Sequence, residues 1–311
     1  DYAEAYSNLG VLLKNLGKLQ DAELSYRKAI QIKPDFVESH LNLGTILKNS
    51  GKLKEAEISL LTAISIKPSW NLYFHYASCL YEMKEFNSSI ESLYKSKELA
   101  NNKLDLKIIK ISILLTNSAK SLSVYSGKIK KDMKLFDKRA DRLIINRKVE
   151  DELISYLNII KTNKLDNTGD SRYGPGVCSG FKLFEDTSPI ISKLSNDIEE
   201  ICKRELGIKE IFFVDSFFNI FVSGSGQPSH FHLNEYDQNF NLASKKYSLV
   251  YYLEIGDQDC ELPGILKLHN PEEKILPEKG MMVIIGGERF HSVSYDGNKK
   301  RIMIGVNFYG L

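Results

Sequence analysis

The side chains best suited to chemistry are clustered near the C-terminal end. Of six histidines, His230 and His232 flank Phe231 directly after a Gly224-Ser225-Gly226 turn, and His291 follows 59 residues beyond His232. In an extended strand, residues i and i+2 face the same way, so His230 and His232 can address one point. A third imidazole from a neighbouring strand would complete a facial set around a divalent metal. Ten residues past His291, Arg301 opens a run of otherwise apolar and small residues. A guanidinium buried in such a strand needs an anion, and a planar bidentate acceptor such as a carboxylate suits it best. A cationic anchor beside a histidine-rich metal site suits a small dicarboxylate that also chelates the metal. His40, His75 and His269 share none of this spacing.

The elements that must hold these residues are short and β-rich. Runs at 211–214, 217–222, 247–253, 264–268, 281–285, 291–295 and 301–308 are separated by Gly, Pro, Asn and Asp, as at Pro263-Gly264 and Asp296-Gly297-Asn298. Many short strands with turn signals and no helices between them predict an antiparallel sandwich or barrel. A helix is predicted over 188–206, amphipathic and ended by Gly207. Packed outside the barrel, it gives the region an α+β character. Tyr247, Tyr251 and Tyr252 suit a β core. Asn219 and Asn307 sit on strands, where an inward amide is costly without a partner, so either suits the lining of a pocket.

With these residues in view, 211–311 resembles the 2-oxoglutarate/Fe(II)-dependent dioxygenases, particularly the prolyl-hydroxylase-like group with a double-stranded β-helix of jelly-roll or cupin-like form. The resemblance rests on His230-Phe231-His232, Tyr251-Tyr252-Leu253, Pro277-Glu278-Lys279-Gly280 leading into 281–285, Gly287 ahead of Phe290-His291, Asp296-Gly297, and the strand from Arg301. It implies His291 as the distal iron ligand and Arg301 as the anchor for the far carboxylate of 2-oxoglutarate. Tyr252, Asn219 and Asn307 would complete the co-substrate pocket. It further implies Fe(II) as metal, O2 as second co-substrate, and hydroxylation of a protein or peptide side chain, prolyl-like, with release of succinate and CO2. The family pattern is His-x-Asp/Glu followed by the distal His, and here no carboxylate stands at i+2 of either histidine. Reading His230 as first ligand puts His232 in the carboxylate slot, an arrangement also found in this branch; reading His232 puts Asn234 there. Glu235 or Asp237 could serve as a carboxylate ligand after a bend. The missing carboxylate also admits a non-catalytic interaction protein with a degenerate barrel.

The N-terminal third repeats itself. Residues 3–36 and 37–70 align without a gap at a period of 34: Leu9-Gly10 with Leu43-Gly44, Gly17-Lys18-Leu19 with Gly51-Lys52-Leu53, Ala22 with Ala56, Ala29 with Ala63, and Pro34 with Pro68. Each unit reads as two amphipathic helices joined by a Gly-Lys-Leu turn, with small residues where the helices approach and proline closing the second. A third copy near 71–104 keeps the spacing but drifts, as terminal repeats do. These residues resemble the tetratricopeptide (TPR) family, which implies a groove for a protein or peptide partner. The expected organisation is therefore TPR repeats at 1–104, a helical connector at 105–160 with a second helical stretch over 128–158, and the dioxygenase-like barrel at 161–311.

Composition narrows the alternatives. Lys+Arg 42 against Asp+Glu 40 leaves a net charge of +2, which removes the electrostatic case for nucleic-acid binding along the chain. The connector is locally basic but lacks interleaved aromatics, so it reads as a solvated face. No apolar run approaches the ~18 residues of a membrane span. Four scattered cysteines without a CxxC, and no signal peptide, lead to the expectation of a reducing, cytoplasmic setting. The repeat pattern is already under way at Asp1, so further repeats upstream are expected.

Overall fold

The computed structural model describes residues 2–124, 141–164 and 175–311. It divides into a helical unit, residues 1–131, and a β-rich unit, residues 132–311.

In the helical unit the described residues form α1 (Tyr2–Asn15), α2 (Leu19–Ile32), α3 (Val37–Asn49), α4 (Leu53–Ile66), α5 (Trp70–Glu82), α6 (Phe86–Leu99) and α7 (Lys103–Val124). The repeated small residues have the expected role. A Cβ on Gly10 would meet the Tyr26 ring at 2.6 Å, and one on Gly44 would meet Leu60 at 2.6 Å. Both glycines therefore set how closely paired helices approach. Gly17 and Gly51 occupy the left-handed turn positions, at φ +74° and +76°. The drift of the third copy is now physical: its turn is one residue out of step, and Lys84 takes the left-handed conformation at φ +62°.

The connector expected over 105–160 is divided between the units. Helix α7 packs on α6 and extends the helical unit. The stretch expected as helix over 128–158 instead contains β1 (Leu143–Asn146) followed by α8 (Asp151–Ile159), both in the β-rich unit. Its residues 128–140 lie outside the described residues. Leu143, Ile144 and Ile145 satisfy a strand as well as a helix, and pairing with a neighbouring strand decides it.

The β-rich unit continues with β2 (Asn163–Lys164), β3 (Val177–Cys178), α9 (Pro189–Leu206), β4 (Ile211–Phe221), β5 (Ser225–His230), β6 (Lys246–Glu254), β7 (Leu266–Leu268), β8 (Glu273–Ile275), β9 (Met281–Gly286), β10 (His291–Tyr295) and β11 (Arg301–Gly310). The strands form two sheets, a larger one ordered β1-β9-β6-β11-β4-β3-β2 and a smaller one ordered β5-β10-β7-β8. Every pairing between these strands is antiparallel. Helix α9 begins where capping chemistry dictates: Ser188 Oγ accepts from Ile191 N, Pro189 opens the first turn, and Gly207 closes the helix in the left-handed conformation.

Side-chain alternation divides the larger sheet into two faces. Met282, Ile284, Leu249, Ile304 and Val306 pack against Leu153 and Leu157 of α8 and Ile191, Leu194 and Ile198 of α9. Met281, Val283, Ile285, Tyr252 and Met303 face the other way and meet Leu266, Leu268, Val293 and Tyr295 of the smaller sheet. The layers are thus helices, large sheet, small sheet. The candidate residues of β11, namely Arg301 and Asn307, share the phase of Met303 and so face the smaller sheet.

Candidate functional site

The strand register brings the histidines together. His230 ends β5 and His291 begins β10, and the two are direct cross-strand partners. Directly opposed residues bring their side chains into contact, and the two rings lie 4.4 Å apart between centroids. His232 stands two residues beyond His230, its chain held by donation from His232 N to Gly287 O at 2.8 Å. Its ring is 5.0 Å from each of the other two. One ligand-capable atom from each residue falls within 4.8 Å of the others, and this is the sole such His/Cys/Asp/Glu cluster among the described residues. His291 is buried, and His230 and His232 are half-buried.

Two of the rings have their orientation fixed by backbone. His291 Nδ1 lies 3.0 Å from Arg289 O, and His230 Nδ1 lies 2.7 Å from Pro228 O. A carbonyl accepts only, so Nδ1 carries the proton and Nε2 is the ligand-capable atom. His232 is held differently. Its Nδ1 is 3.1 Å from Asn307 Nδ2, and its Nε2 is 3.3 Å from His291 Nε2. Burial, reinforced by the neighbouring imidazoles, pushes the pKa of His291 down to about 4 and that of His232 well below its ordinary value. These two rings are therefore neutral and able to ligate near pH 7.

Arg301 begins β11, on the face of the larger sheet turned towards the smaller one, and is 0 % exposed. Its Nη1 donates to Gly264 O, and its guanidinium carbon sits 5.0 Å from the Tyr252 ring centroid and 5.9 Å from that of Tyr295. Its Nε and Nη2 have no hydrogen-bond partner, and none of the ion pairs among the described residues includes it. Burial lowers its pKa, opposed by the Tyr252 and Tyr295 hydroxyls. Gly264 is required twice over: its φ is +76°, and a Cβ there would lie 1.4 Å from Arg301 Nη1. Tyr295, whose ring the guanidinium approaches, ends the strand that His291 begins.

The other expected residues separate. Tyr252 lies beside Arg301, as described. Asn219 is buried, pairs with Met303 across β4 and β11, and leaves its Nδ2 without a partner. Asn307 touches His232 and also donates to Asp215 Oδ1 at 2.7 Å, while its own Oδ1 is unpartnered. Asp237, offered by sequence as an alternative ligand, is committed elsewhere. It is buried, accepts from Lys246 Nζ at 2.7 Å, from Tyr309 Oη at 2.5 Å and from Asn234 N at 2.7 Å, and is absent from the cluster. The side chain of Glu235 lies outside the described residues. Sequence reasoning missed Asp215, Lys246 and Gly264. An aspartate within the apolar stretch Ile211-Phe212-Phe213-Val214-Asp215 was the available signal for the first.

Comparison with known proteins resolves the helical unit. Residues 3–36 and, in an overlapping register, residues 25–58 match Tetratricopeptide repeat families. The helical unit carries TPR repeats. Similar solved structures include the first TPR of Spaghetti (RPAP3) bound to the HSP90 peptide SRMEEVD, at 16% identity and TM-score 0.36, covering 39% of this chain and 94% of that one. The TPR2B-domain:pHsp70 complex of yeast Sti1 is 20% identical at TM-score 0.37, covering 38% and 98%. The Yersinia enterocolitica translocator chaperone SycD is 20% identical at TM-score 0.36, covering 38% and 85%. No curated protein matches the chain. In the TPR unit a pocket of about 470 Å³ is lined by Arg27, His40, Leu47, Glu55 and Ile58 among others.

Proposed function

We propose that the β-rich unit is a double-stranded β-helix dioxygenase that uses Fe(II) and 2-oxoglutarate to hydroxylate a protein or peptide side chain, prolyl-like in character, while the TPR unit binds the substrate or a partner. The observation that carries this reading is Arg301. A fully buried guanidinium with two unpartnered donors is a costly arrangement, worth about 1–3 kcal/mol per unsatisfied group, and the planar carboxylate at one end of a small dicarboxylate would supply what it lacks.

The residues fit the implied groups. His230, His232 and His291 would hold the metal through imidazole nitrogens, a neutral donor set suited to Fe(II). Bound iron with 2-oxoglutarate and O2 supplies oxidative decarboxylation to succinate and CO2 coupled to hydroxylation of a C–H bond. Arg301 Nε and Nη2 receive the far carboxylate, with the Tyr252 hydroxyl beside them. Asn219 Nδ2, on the strand that pairs with β11, offers a further donor. Burial strengthens each of these contacts and excludes water from the acidic co-substrate.

One observation favours the rival reading, a TPR interaction protein with a degenerate barrel. Among the described residues no carboxylate reaches the cluster. The two readings part on one assay, succinate release from 2-oxoglutarate with added Fe(II) and prolyl peptides. The dioxygenase reading expects release that falls at least 100-fold in Arg301→Met. No succinate from the wild type, with and without peptides, supports the rival.

A further inference from the structure

The three histidines are not equivalent, and the difference traces to a buried carboxylate outside the cluster. His230 and His291 each lean on a backbone carbonyl, whereas His232 leans on the Asn307 side chain. Asn307 in turn is oriented by Asp215, its cross-strand partner on β4. Burial raises the pKa of Asp215, and the Asn307 amide and Lys246 oppose the rise; as a carboxylate it accepts only and so faces the NH2 of Asn307. That same NH2 faces His232 Nδ1, which makes Nδ1 an acceptor and leaves the ring proton on Nε2. The 3.3 Å approach of His232 Nε2 to His291 Nε2 is then an N–H···N hydrogen bond, since the His291 proton is committed to Arg289 O. Asn307 Oδ1, turned the other way, is the atom left unpartnered.

We propose that Asp215, acting through Asn307, decides which ring nitrogen of His232 carries the proton and thereby holds down the affinity of the three-histidine cluster for a divalent cation. The proposal rests on the reading of the cluster as a cation site. In this arrangement His232 presents a proton where a cation would need a lone pair. For His232 to offer Nε2, its proton must transfer to Nδ1 with the ring remaining neutral. Asn307 must then turn its amide so that Oδ1 accepts from Nδ1–H. That turn sets Oδ1 against the Asp215 carboxylate, acceptor against acceptor, which opposes it. Asn307 and Asp215 are positioning residues here, and neither touches the cation.

Long-range 15N–1H correlations of the histidine rings in the metal-free wild-type chain test the first half. The expected pattern is Nδ1–H for His230 and His291 and Nε2–H for His232; Nδ1–H at all three rings overturns the proposal. Asp215→Asn replaces the opposing carboxylate by an amide that can donate to the turned Asn307. It should move His232 to Nδ1–H and tighten binding of Zn2+ alone by tenfold or more in calorimetry. An unchanged tautomer with unchanged Zn2+ affinity overturns the relay. Asn307→Ala, should Asp215→Asn misfold, is expected to abolish the Nε2–H preference, and its retention overturns the relay equally. Failure of both wild type and Asp215→Asn to bind Zn2+ overturns the cation-site reading and the affinity claim with it, whereas Zn2+ binding with an unchanged tautomer and affinity overturns the relay alone.

Discussion

At Arg301 burial and charge conflict, and the conflict has a measurable consequence. The side chain is fully buried, its Nη1 is satisfied by Gly264 O, and its Nε and Nη2 make no hydrogen bond. Removing an unpaired buried cation relieves desolvation rather than breaking an ion pair. Arg301→Met should therefore leave the melting temperature of the ligand-free protein unchanged or raise it. The same change should abolish the thermal stabilisation expected when 2-oxoglutarate is added to the wild type, which would be mass action on a bound state. A variant several degrees less stable that still gained from 2-oxoglutarate would mean the guanidinium is structural. The histidines and this arginine were legible in the sequence because their types are rare in strands and their spacing matched strand geometry. Asp215 was not, because its role exists only through a cross-strand amide that no local pattern reveals. The two candidate carboxylates after His232 illustrate the converse: proximity in sequence offered Asp237 as a ligand, and Lys246 with Tyr309 claims it.

Among the elements, errors in the sequence reading concentrate where polar residues point inward. The runs 211–214 and 217–222 are one continuous strand, β4, interrupted in the hydrophobic pattern by Asp215-Ser216. Strand β5, Ser-Gly-Gln-Pro-Ser-His, has no apolar alternation at all. It is an edge strand of the smaller sheet, where Pro228 is tolerated, and it exists because it pairs with β10. The helical repeats were legible in detail because each position is tested twice at a fixed period. Inside α5, His75 is buried against Phe74, and burial with the nearby Lys48 and Lys14 drives its pKa down to about 3. Its folded value lies below the unfolded value, so the unfolded chain binds more protons as pH falls. Stability of the helical unit should be complete above pH 6.5 and decline below it by up to about 1.4 kcal/mol per pH unit. Urea titrations of the full chain followed by helical circular dichroism, between pH 7 and pH 4, check this. His75→Leu should flatten the acid decline, and a parallel decline in both proteins would remove His75 as its cause.

At the scale of the whole molecule, the chain joins a TPR repeat array to a β-rich unit that holds the histidine cluster and the buried Arg301. Where one ends and the other begins was not legible, because the apolar residues of β1 fit either period and are settled only by pairing with β9. No helix among the described residues is long and apolar enough to cross a membrane. What the β-rich unit does turns on whether its three imidazoles and its deep guanidinium hold one chelate between them. Anaerobic titration of the intact protein with Fe(II) and 2-oxoglutarate asks this directly. A visible charge-transfer band that needs both additions, and that vanishes in His291→Ala, is the predicted result. An iron-loaded protein with no such band, or a band that His291→Ala leaves untouched, would contradict it.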